Sequence, residues 1–266
     1  MGLEDSRVRY PLGRVSIAAG LVWDKIKERP PKFKFNLNFK NLPSEITSKE
    51  RKHLMSFEDT WERNREVRKI ISQHMRRATQ ERREILFKWI VKDWGGIRGG
   101  NDDIFQTWVE ELSYFDQPRV EKFYFTREDH RPSSWSKIIS FADHKFYPVY
   151  DARATVALNV LLEGTKIEGR FHMPETRNKE VPKAVDKLKD ELKWKFDGRR
   201  VRYAYYREYR NLLRAIEKHA GLQDVLQVEM HLFSHSIPII KDYNKRMEQG
   251  GKPSKKMENA TRGKKS

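Results

Sequence analysis

An acidic residue marks the junction between an extended segment and an apolar helix in the stretch 143-DHKFYPVYDARATVALN-159. Asp151 stands where a helix over 152–162 should begin, because the residues after it are apolar on nearly every side. A carboxylate in this position is a favourable helix N-cap, since it accepts a backbone N–H and suits the positive end of the helix dipole. A carboxylate that faces a pocket can instead stabilise developing positive charge in a reaction. The spacing alone leaves both roles open.

A lysine stands on the polar side of the helix predicted over residues 133–142. Ser133, Lys137 and Ser140 recur there at i, i+4 and i+7, so one long cation shares a helix face with two hydroxyls. A lysine amine is a nucleophile when burial lowers its pKa, and it is otherwise a solvated or phosphate-contacting cation. Both interpretations of Lys137 stay open. The opposite side of the helix is an apolar stripe formed by Trp135, Ile138, Ile139 and Ala142.

Composition excludes several kinds of chemistry. The chain has 266 residues and no cysteine, which rules out disulfides, thiolate catalysis and cysteine-based zinc or iron–sulfur sites. The eight histidines show no HExxH or comparable spacing, so we expect neither a metal site nor a cofactor. No apolar run is long enough to span a membrane, and the first residues lack the apolar segment of a secretory signal. We therefore expect a cytoplasmic protein.

The charge of the chain favours a polyanionic partner. The net charge is +17, from 55 Lys and Arg against 38 Asp and Glu. Neutralising phosphates releases condensed counterions, so an excess of this kind favours binding to nucleic acid. Nucleic acid is the partner that we expect, and an anionic membrane surface is the competing interpretation.

The pattern of apolar residues predicts a mainly α protein in three parts. Residues 1–45 mix prolines with apolar and basic residues, so we expect an irregular or extended N-terminal arm or a small extended subdomain, in which the alternating 32-KFKFNLNFK-40 predicts a strand or extended arm. Residues 46–243 read as a helical domain with amphipathic periodicity. Residues 244–266 lack aromatic and β-branched apolar side chains and are rich in Lys and Arg. We expect them to form a disordered basic tail that adds affinity for polyanions.

Three tracts have more than one interpretation. The basic 74-HMRRATQERRE-84 is typical either of a solvated helix face or of a face that contacts phosphate. The turn 93-DWGGIRGGNDD-103 lacks the GxxxxGK[ST] spacing of a phosphate-binding loop, so we interpret it as a connection between helices. In 199-RRVRYAYYREYR-210 tyrosines alternate with arginines, and such tyrosines either stack on bases or pack in a helix core.

The junction also resembles a known enzyme family. Over residues 132–162, the chain is similar to the second hairpin helix, loop and catalytic junction of helix-hairpin-helix DNA glycosylases, in particular their 8-oxoguanine-glycosylase-like bacterial branch. In that family an extended P-[VI]-x-D-x-[RH] piece delivers an aspartate to the lesion pocket at the start of a buried helix. Pro148, Val149, Asp151 and Arg153 match this pattern. The resemblance thus places Asp151 on the catalytic carboxylate, and a cap that faces outward is compatible with that role.

The chain departs from the family in two places. The hairpin of the family normally contains a G-[VI]-G turn, whereas this chain has 129-DHRPSSWS-136, so its phosphate-binding turn is altered or replaced. Where bifunctional members carry the lysine that forms a Schiff base, this chain aligns Ser133. Lys137 is one turn later on the same helix face and could reach the same pocket.

The resemblance implies a function and a set of site residues. It implies a monomeric DNA glycosylase of helix-hairpin-helix architecture that flips a base out of double-stranded DNA and excises it with Asp151, and with Lys137 as the candidate Schiff-base nucleophile. Oxidised guanine is the substrate that the resemblance suggests, and a modified base in foreign or phage DNA is also compatible. The expected DNA contacts are Arg131, Ser133, Ser134, Ser136, Lys145 and Arg153.

Two other functions compete with this interpretation. One is a catalytically inert DNA-binding protein on the same scaffold, in which Asp151 only caps its helix. The altered hairpin and the displaced lysine favour that alternative. The other is a basic structural or RNA-binding protein, which would prefer single-stranded RNA to duplex DNA.

Overall fold

The computed structural model of the chain describes residues 12–28, 39–97, 99, 103–112, 120, 131–163, 171, 173–174, 176, 178–192 and 202–250. This part of the chain forms ten α-helices and contains no strand. The mainly α fold predicted from the sequence is therefore confirmed, while the finer helix-hairpin-helix assignment stays a prediction. None of the described helices is both long enough and apolar enough to cross a membrane.

Side-chain caps fix where five of the ten described helices begin. Thr47, Asp59, Thr79, Asp151 and Asp224 each accept a backbone N–H in the first turn of the helix that follows. A six-residue π-helical turn, Trp89–Trp94, continues the fourth helix, and a 3-10 turn spans Phe39–Asn41. The helices are α1 (Leu12–Ile26), α2 (Ser48–Ser56), α3 (Thr60–Arg77), α4 (Gln80–Lys88), α5 (Asp103–Glu111), α6 (Pro132–Ala142), α7 (Ala152–Leu161), α8 (Glu180–Leu192), α9 (Arg202–Ala220) and α10 (Val225–Glu248).

Helix α7 lies in the core, as its nearly continuous apolar sequence predicts. It packs against α10, α8 and α1, and residues 154–160 are all buried. Two of the buried residues are polar, and both are hydrogen-bonded: the Thr155 hydroxyl donates to the Ala152 carbonyl, and the Asn159 amide pairs with the backbone of Phe171. The buried polar side chains of α7 therefore have hydrogen-bond partners, and Asp151 is the N-cap of this buried helix.

Residues 12–26 differ from the extended N-terminal arm predicted from the sequence. They form helix α1, which buries Ala18, Ala19 and Val22 against the rest of the molecule and packs on α9 and α7. Two histidines of α10 hold its end: His231 Nδ1 donates to the Ile26 carbonyl at 2.8 Å, and His235 Nε2 donates to the Glu28 carbonyl at 2.6 Å. The helix is stabilised because its apolar side packs against α9 and α7, and the local sequence does not reveal this contact.

The other predicted boundaries lie partly outside the described residues. The alternating segment 32–40 is described only at its end, where it enters the 3-10 turn. Residues 244–248, which the sequence assigns to the predicted tail, belong to α10, which continues to Glu248. Asn244 is buried, and its amide donates to the Glu180 carbonyl at 3.0 Å, which ties this last part of α10 to α8. Residues 251–266 lie outside the described part.

The basic tract at 74–84 mainly terminates helices. Arg83 is buried, and its guanidinium donates to the carbonyls of Met75, Ala78 and Leu112 at 3.2 to 3.4 Å. Arg76 donates to the Ala142 carbonyl at 3.0 Å, at the C-terminal end of α6. Helix ends leave carbonyls without intrahelical donors, and arginine supplies several donors at once. Arg76 and Arg83 therefore have a structural role, because their guanidinium groups bind carbonyls at the ends of helices.

Candidate functional site

The extended segment 148–150 is buried, so its backbone needs partners. The described part of the chain contains no strand that could provide them, and side chains do so instead. The Val149 N–H donates to Glu229 Oε2 at 2.8 Å. The Tyr150 N–H donates to Ser136 Oγ at 2.9 Å. Helices α10 and α6 thus hold the two amides of the segment from opposite sides.

Hydroxyl groups satisfy the carbonyls of the same segment. The Tyr206 hydroxyl donates to the Pro148 carbonyl and the Tyr209 hydroxyl to the Val149 carbonyl, both at 3.0 Å. The Ser133 hydroxyl donates to the Tyr150 carbonyl at 3.1 Å. Both tyrosines are fully buried, which resolves the ambiguity of the arginine–tyrosine tract for these two residues in favour of the core. These hydrogen bonds to its amides and carbonyls therefore fix the segment that leads to Asp151.

Asp151 caps helix α7 and also carries an ion pair. Its Oδ1 accepts the Arg153 backbone N–H at 2.8 Å, which is an N-cap bond. The Arg153 guanidinium returns to the same carboxylate, with Nε 3.1 Å from Oδ1 and an Nη 3.3 Å from Oδ2. Arg153 also lies over the Phe233 ring, 4.1 Å from its centroid. The arginine thus bridges the start of α7 and helix α10.

The charges around Asp151 keep its carboxylate ionised. Burial acts to raise its pKa, but the Arg153 charge, the hydrogen bonds from Arg153 and the charge of Lys137 lower the pKa below its ordinary value. The side chain nevertheless keeps a fifth of its surface exposed. An ionised carboxylate at the edge of a cavity can stabilise a positive charge that develops there.

Lys137 is a buried amine on α6. Only 5% of its surface is exposed, and its Nζ donates to the Ser133 carbonyl at 2.7 Å. Burial lowers its pKa to about 8, because the loss of solvent and the charges of Arg153 and Arg68 outweigh the opposing influence of Asp151 and Glu229. A lysine with this pKa is partly neutral near pH 7, and the neutral form is the nucleophile.

The π-helical turn covers the Lys137 side chain. The Gly95 N–H donates to the Ile90 carbonyl at 2.9 Å, five residues back, which is the π-helical pattern. A β-carbon on Gly95 would lie 2.5 Å from Lys137 Cδ and 2.7 Å from the Val91 carbonyl oxygen. Glycine is required here for this close approach. The glycine-rich turn, interpreted from the sequence as a plain connection, therefore packs directly on the amine.

A bidentate ion pair lies beside the lysine. Arg68 of α3 contacts Glu229 of α10 through both Nη atoms, at 2.5 and 3.2 Å, and both residues are buried. The Arg68 guanidinium lies over the Trp94 ring, 4.8 Å from its centroid. Glu229 is the same carboxylate that accepts the Val149 amide. The ion pair therefore links the π-helical turn, α3, α10 and the extended segment.

These elements enclose one cavity of about 70 Å³, which is large enough for several water molecules. Its charged lining consists of Lys137, Asp151, Arg153, Arg68 and Glu229. The remaining lining comprises Asn64, Trp94, Gly95, Val149, Ala154, Met230 and Phe233. The structure thus brings together the two residues predicted to be catalytic, although they are on different helices. An amine and a carboxylate in an aromatic-lined cavity suit reaction with an electrophilic carbon beside a planar ring.

The six predicted DNA contacts fall into two groups. Arg131 and Lys145 are exposed near the start of α6 and in the loop after it, so a phosphate contact stays a prediction for them. Ser134 and Ser136 are buried, and Ser136 holds the Tyr150 amide, so neither presents a surface to DNA. Ser133 likewise uses its hydroxyl on the Tyr150 carbonyl. Arg153, the sixth, is half-exposed and paired with Asp151.

Sequence reasoning missed Arg68 and Glu229 as supports of the site, because each looks like one more charged residue on an amphipathic helix. For Tyr206 and Tyr209 the sequence leaves base stacking and core packing open, and it does not reveal the carbonyls that their hydroxyls bind. The sequence alone does not assign Trp94 to the cavity, since the close approach of its turn depends on Gly95.

Within the described residues, no group of three or more His, Asp or Glu side chains is placed to hold a metal ion. Comparisons with protein-family models, with curated proteins and with solved structures give no significant match. The assignment of a function therefore depends on the residues of the site and on the resemblance found in the sequence.

Replacing Lys137 by methionine should stabilise the protein. Methionine has a similar volume and no charge to bury, so the free energy of unfolding at pH 7 should rise by about 1 to 3 kcal/mol. Between pH 8 and 10.5 Lys137 is neutral in the folded protein but still protonated in the unfolded chain, so the free energy of unfolding of wild type should rise with pH over this range. In Lys137→Met this rise should be absent. Chemical denaturation across this pH range measures both effects. The exposed control Lys145→Met should change stability by less than about 0.5 kcal/mol, and a loss of stability in Lys137→Met would contradict the burial cost.

Replacing Glu229 by glutamine should destabilise the protein by about 3 to 5 kcal/mol, because the buried Arg68 charge loses its counterion. The glutamine oxygen can still accept the Val149 amide, so the loss reports on charge. Urea unfolding gives the measurement. Glu248→Gln removes a carboxylate that is 63% exposed and pairs with Lys187, and it should cost less than about 1 kcal/mol. Equal losses in the two variants would show that the Arg68–Glu229 pair does not stabilise the site.

Proposed function

We propose that this protein is a DNA N-glycosylase that extrudes a damaged or modified base and cleaves its bond to the sugar. The observation that carries the proposal is that Lys137, a buried amine with its pKa lowered to about 8, faces the same cavity as the ionised Asp151. Perturbed titratable groups that converge in a cavity are typical of catalytic sites. The resemblance in the sequence assigns Asp151 to the catalytic carboxylate, and Lys137 lies one turn after Ser133, the position at which bifunctional members carry their lysine.

The walls of the cavity suit a flipped nucleotide. Trp94 and Phe233 contribute aromatic surface and Met230 a thioether, and such groups contact the face of a base that has left the stack. Trp94 and Phe233 are half-buried, so each keeps part of its surface exposed to solvent. The net charge of +17 supports binding of the phosphate backbone outside it. Arg131 and Lys145 are exposed cations that precede Lys137 and Asp151, respectively, on the same stretch of chain.

In the proposed reaction the neutral Lys137 amine forms a bond to C1′ of the sugar while the bond from C1′ to the base nitrogen breaks. The electron pair of the broken bond leaves with the base, which takes up a proton. The attached amine then passes a proton to the ring oxygen as the bond from C1′ to that oxygen breaks, so the sugar ring opens, a Schiff base forms and strand nicking becomes possible. If water attacks C1′ instead, the base leaves in the same way, the water loses a proton and an abasic site remains, and Lys137 acts only through its charge.

Asp151 contributes electrostatic stabilisation in this proposal. The sugar gains positive charge as the base departs, and an ionised carboxylate beside C1′ lowers the energy of that state. The N-cap bond fixes the carboxylate at the end of α7, so its position is set before the substrate arrives. Arg153 partly neutralises it in the free protein, so this arginine has to move or share its charge when the sugar binds.

One observation favours a second function, that of an inert DNA-binding protein. Both carboxylate oxygens of Asp151 accept hydrogen bonds within the chain, which is a complete structural role. In that case Lys137 would be a buried cation that takes no part in a reaction. The two functions predict the same binding to duplex DNA and opposite outcomes for base release.

Asp151→Asn should abolish base release without unfolding the protein, because asparagine is also a good N-cap but carries no charge. Wild type and mutant are incubated with duplexes that contain oxidised guanine, alkylated bases or modified phage pyrimidines, and the products are resolved with and without alkali. Loss of at least about a hundredfold in rate is expected in the mutant. Base release by neither protein, with DNA binding intact, would establish the inert alternative.

Formation of the covalent adduct should follow the titration of Lys137. The neutral amine is the nucleophile, so borohydride trapping should rise about tenfold per pH unit below pH 8 and level off above it. Asp151 stays ionised throughout, because its pKa is below the ordinary value. Single-turnover trapping from about pH 6 to about pH 9.5 measures the profile, with Lys137→Gln as the control that should give no adduct. Base release without any trapped adduct would assign the nucleophile to water.

A further inference from the structure

A buried amide in the cavity wall has no part in the steps proposed above. Asn64 lies on α3, one turn before Arg68, and only 3% of its surface is exposed. It lines the same cavity as Lys137 and Asp151. Buried polar side chains are nearly always hydrogen-bonded, so an amide at this depth needs a partner.

The side-chain oxygen of Asn64 has none among the described residues. Its Oδ1 is buried and accepts no hydrogen bond from this part of the chain. Asn159 on α7 shows the ordinary arrangement at similar burial, since its Oδ1 accepts the Phe171 N–H and its Nδ2 donates to the Phe171 carbonyl, both at 2.8 Å. Asn159 therefore completes the fold, whereas Asn64 leaves a polar group unused in the wall of a cavity. An unpaired buried acceptor is costly to a fold and useful to a ligand that can donate to it.

We propose that Asn64 is a specificity-determining residue that recognises the hydrogen-bonding edge of the extruded nucleobase, an inference that rests on the proposed glycosylase function. A carboxamide has a donor and an acceptor side by side. It complements a base edge on which an N–H group lies next to a carbonyl or ring nitrogen, as asparagine does when it pairs with adenine. The unmodified bases and oxidised guanine have such an edge. A base whose N–H groups on that edge are all replaced by N-methyl groups lacks the donor.

The division of roles within the cavity supports this assignment. Trp94, Met230 and Phe233 offer apolar contact to the face of a ring, and stacking of this kind gives affinity with little discrimination between bases. Hydrogen bonds in a buried site discriminate strongly, because an analogue without the matching group leaves protein atoms unpaired. Asn64 is the uncharged amide in the lining, so its selection acts on the hydrogen-bonding pattern of the base and not on its charge.

Binding of free bases tests recognition separately from catalysis. Cytosine, uracil, adenine and oxidised guanine are titrated into the protein and followed by saturation-transfer NMR, each beside an analogue in which N-methyl groups replace every N–H of its hydrogen-bonding edge. Wild type should bind at least one base about tenfold or more tightly than its methylated analogue. Asn64→Leu should bind both members of that pair equally. Asn64→Asp keeps the acceptor and the size, so it should retain a preference for the parent base.

Thermal unfolding of matched variants distinguishes recognition from a structural role. Asn64→Leu should unfold at the wild-type temperature or above, because it removes an unpaired buried acceptor. Asn159→Leu should unfold at a lower temperature, because it breaks two hydrogen bonds, and it should keep the wild-type preference among bases. A lower unfolding temperature in Asn64→Leu with an unchanged preference would overturn the inference.

The two proposals fail in different ways. The inference on Asn64 is overturned if wild type binds none of the free bases, or if Asn64→Leu keeps the preference for the parent over the methylated base. The glycosylase proposal is overturned if wild type releases no base from any modified duplex. Failure of base release would not alter the measured preference among free bases, so the outcomes of the two tests are distinguishable.

Discussion

The site depends on one constraint, which is that a buried extended segment has to have its backbone polar groups satisfied. The segment 148–150 has no strand beside it, so its amides and carbonyls are bound by side chains of three helices, α6, α9 and α10. Each of these bonds fixes a helix as well as the segment. The position of Asp151 is therefore a property of the assembled core. This explains why a cavity whose lining comes from α3, α6, α7, α10 and the π-helical turn has a defined shape.

The electrostatic balance of the cavity follows from the same arrangement. Glu229 binds the Val149 amide and at the same time pairs with Arg68, so those two charges are matched locally. Asp151 is matched in a similar way by Arg153. Lys137 is left as the buried cation whose nearest acceptor is a backbone carbonyl, and burial therefore dominates its pKa. An amine that is neutral for part of the time at pH 7 results from pairing the other charges with one another.

The sequence predicts the helical class, the buried helix α7 and the N-cap at Asp151, because these depend on local periodicity and capping. It also places Lys137 and Asp151 near each other, although by resemblance to a family and not by spacing. It fails for α1, whose apolar stripe is recognisable only against its partner surface, and for the serines of α6. Ser136 looks like a hydroxyl available to phosphate, yet it is the acceptor that the Tyr150 amide needs. Partners distant in sequence decide such cases, and a single sequence does not contain them.

The contact between Gly95 and Lys137 gives a way to interpret related sequences. A β-carbon at position 95 would clash with the Val91 carbonyl as well as with the lysine, so a glycine there indicates that the π-helical turn keeps the same backbone path. A lysine at position 137 indicates that the amine is present. A relative that keeps the glycine and replaces the lysine would have inherited the architecture of the cavity without its nucleophile. In an alignment, these two columns would thus separate homologues that share only the scaffold from those that also retain the means for covalent chemistry.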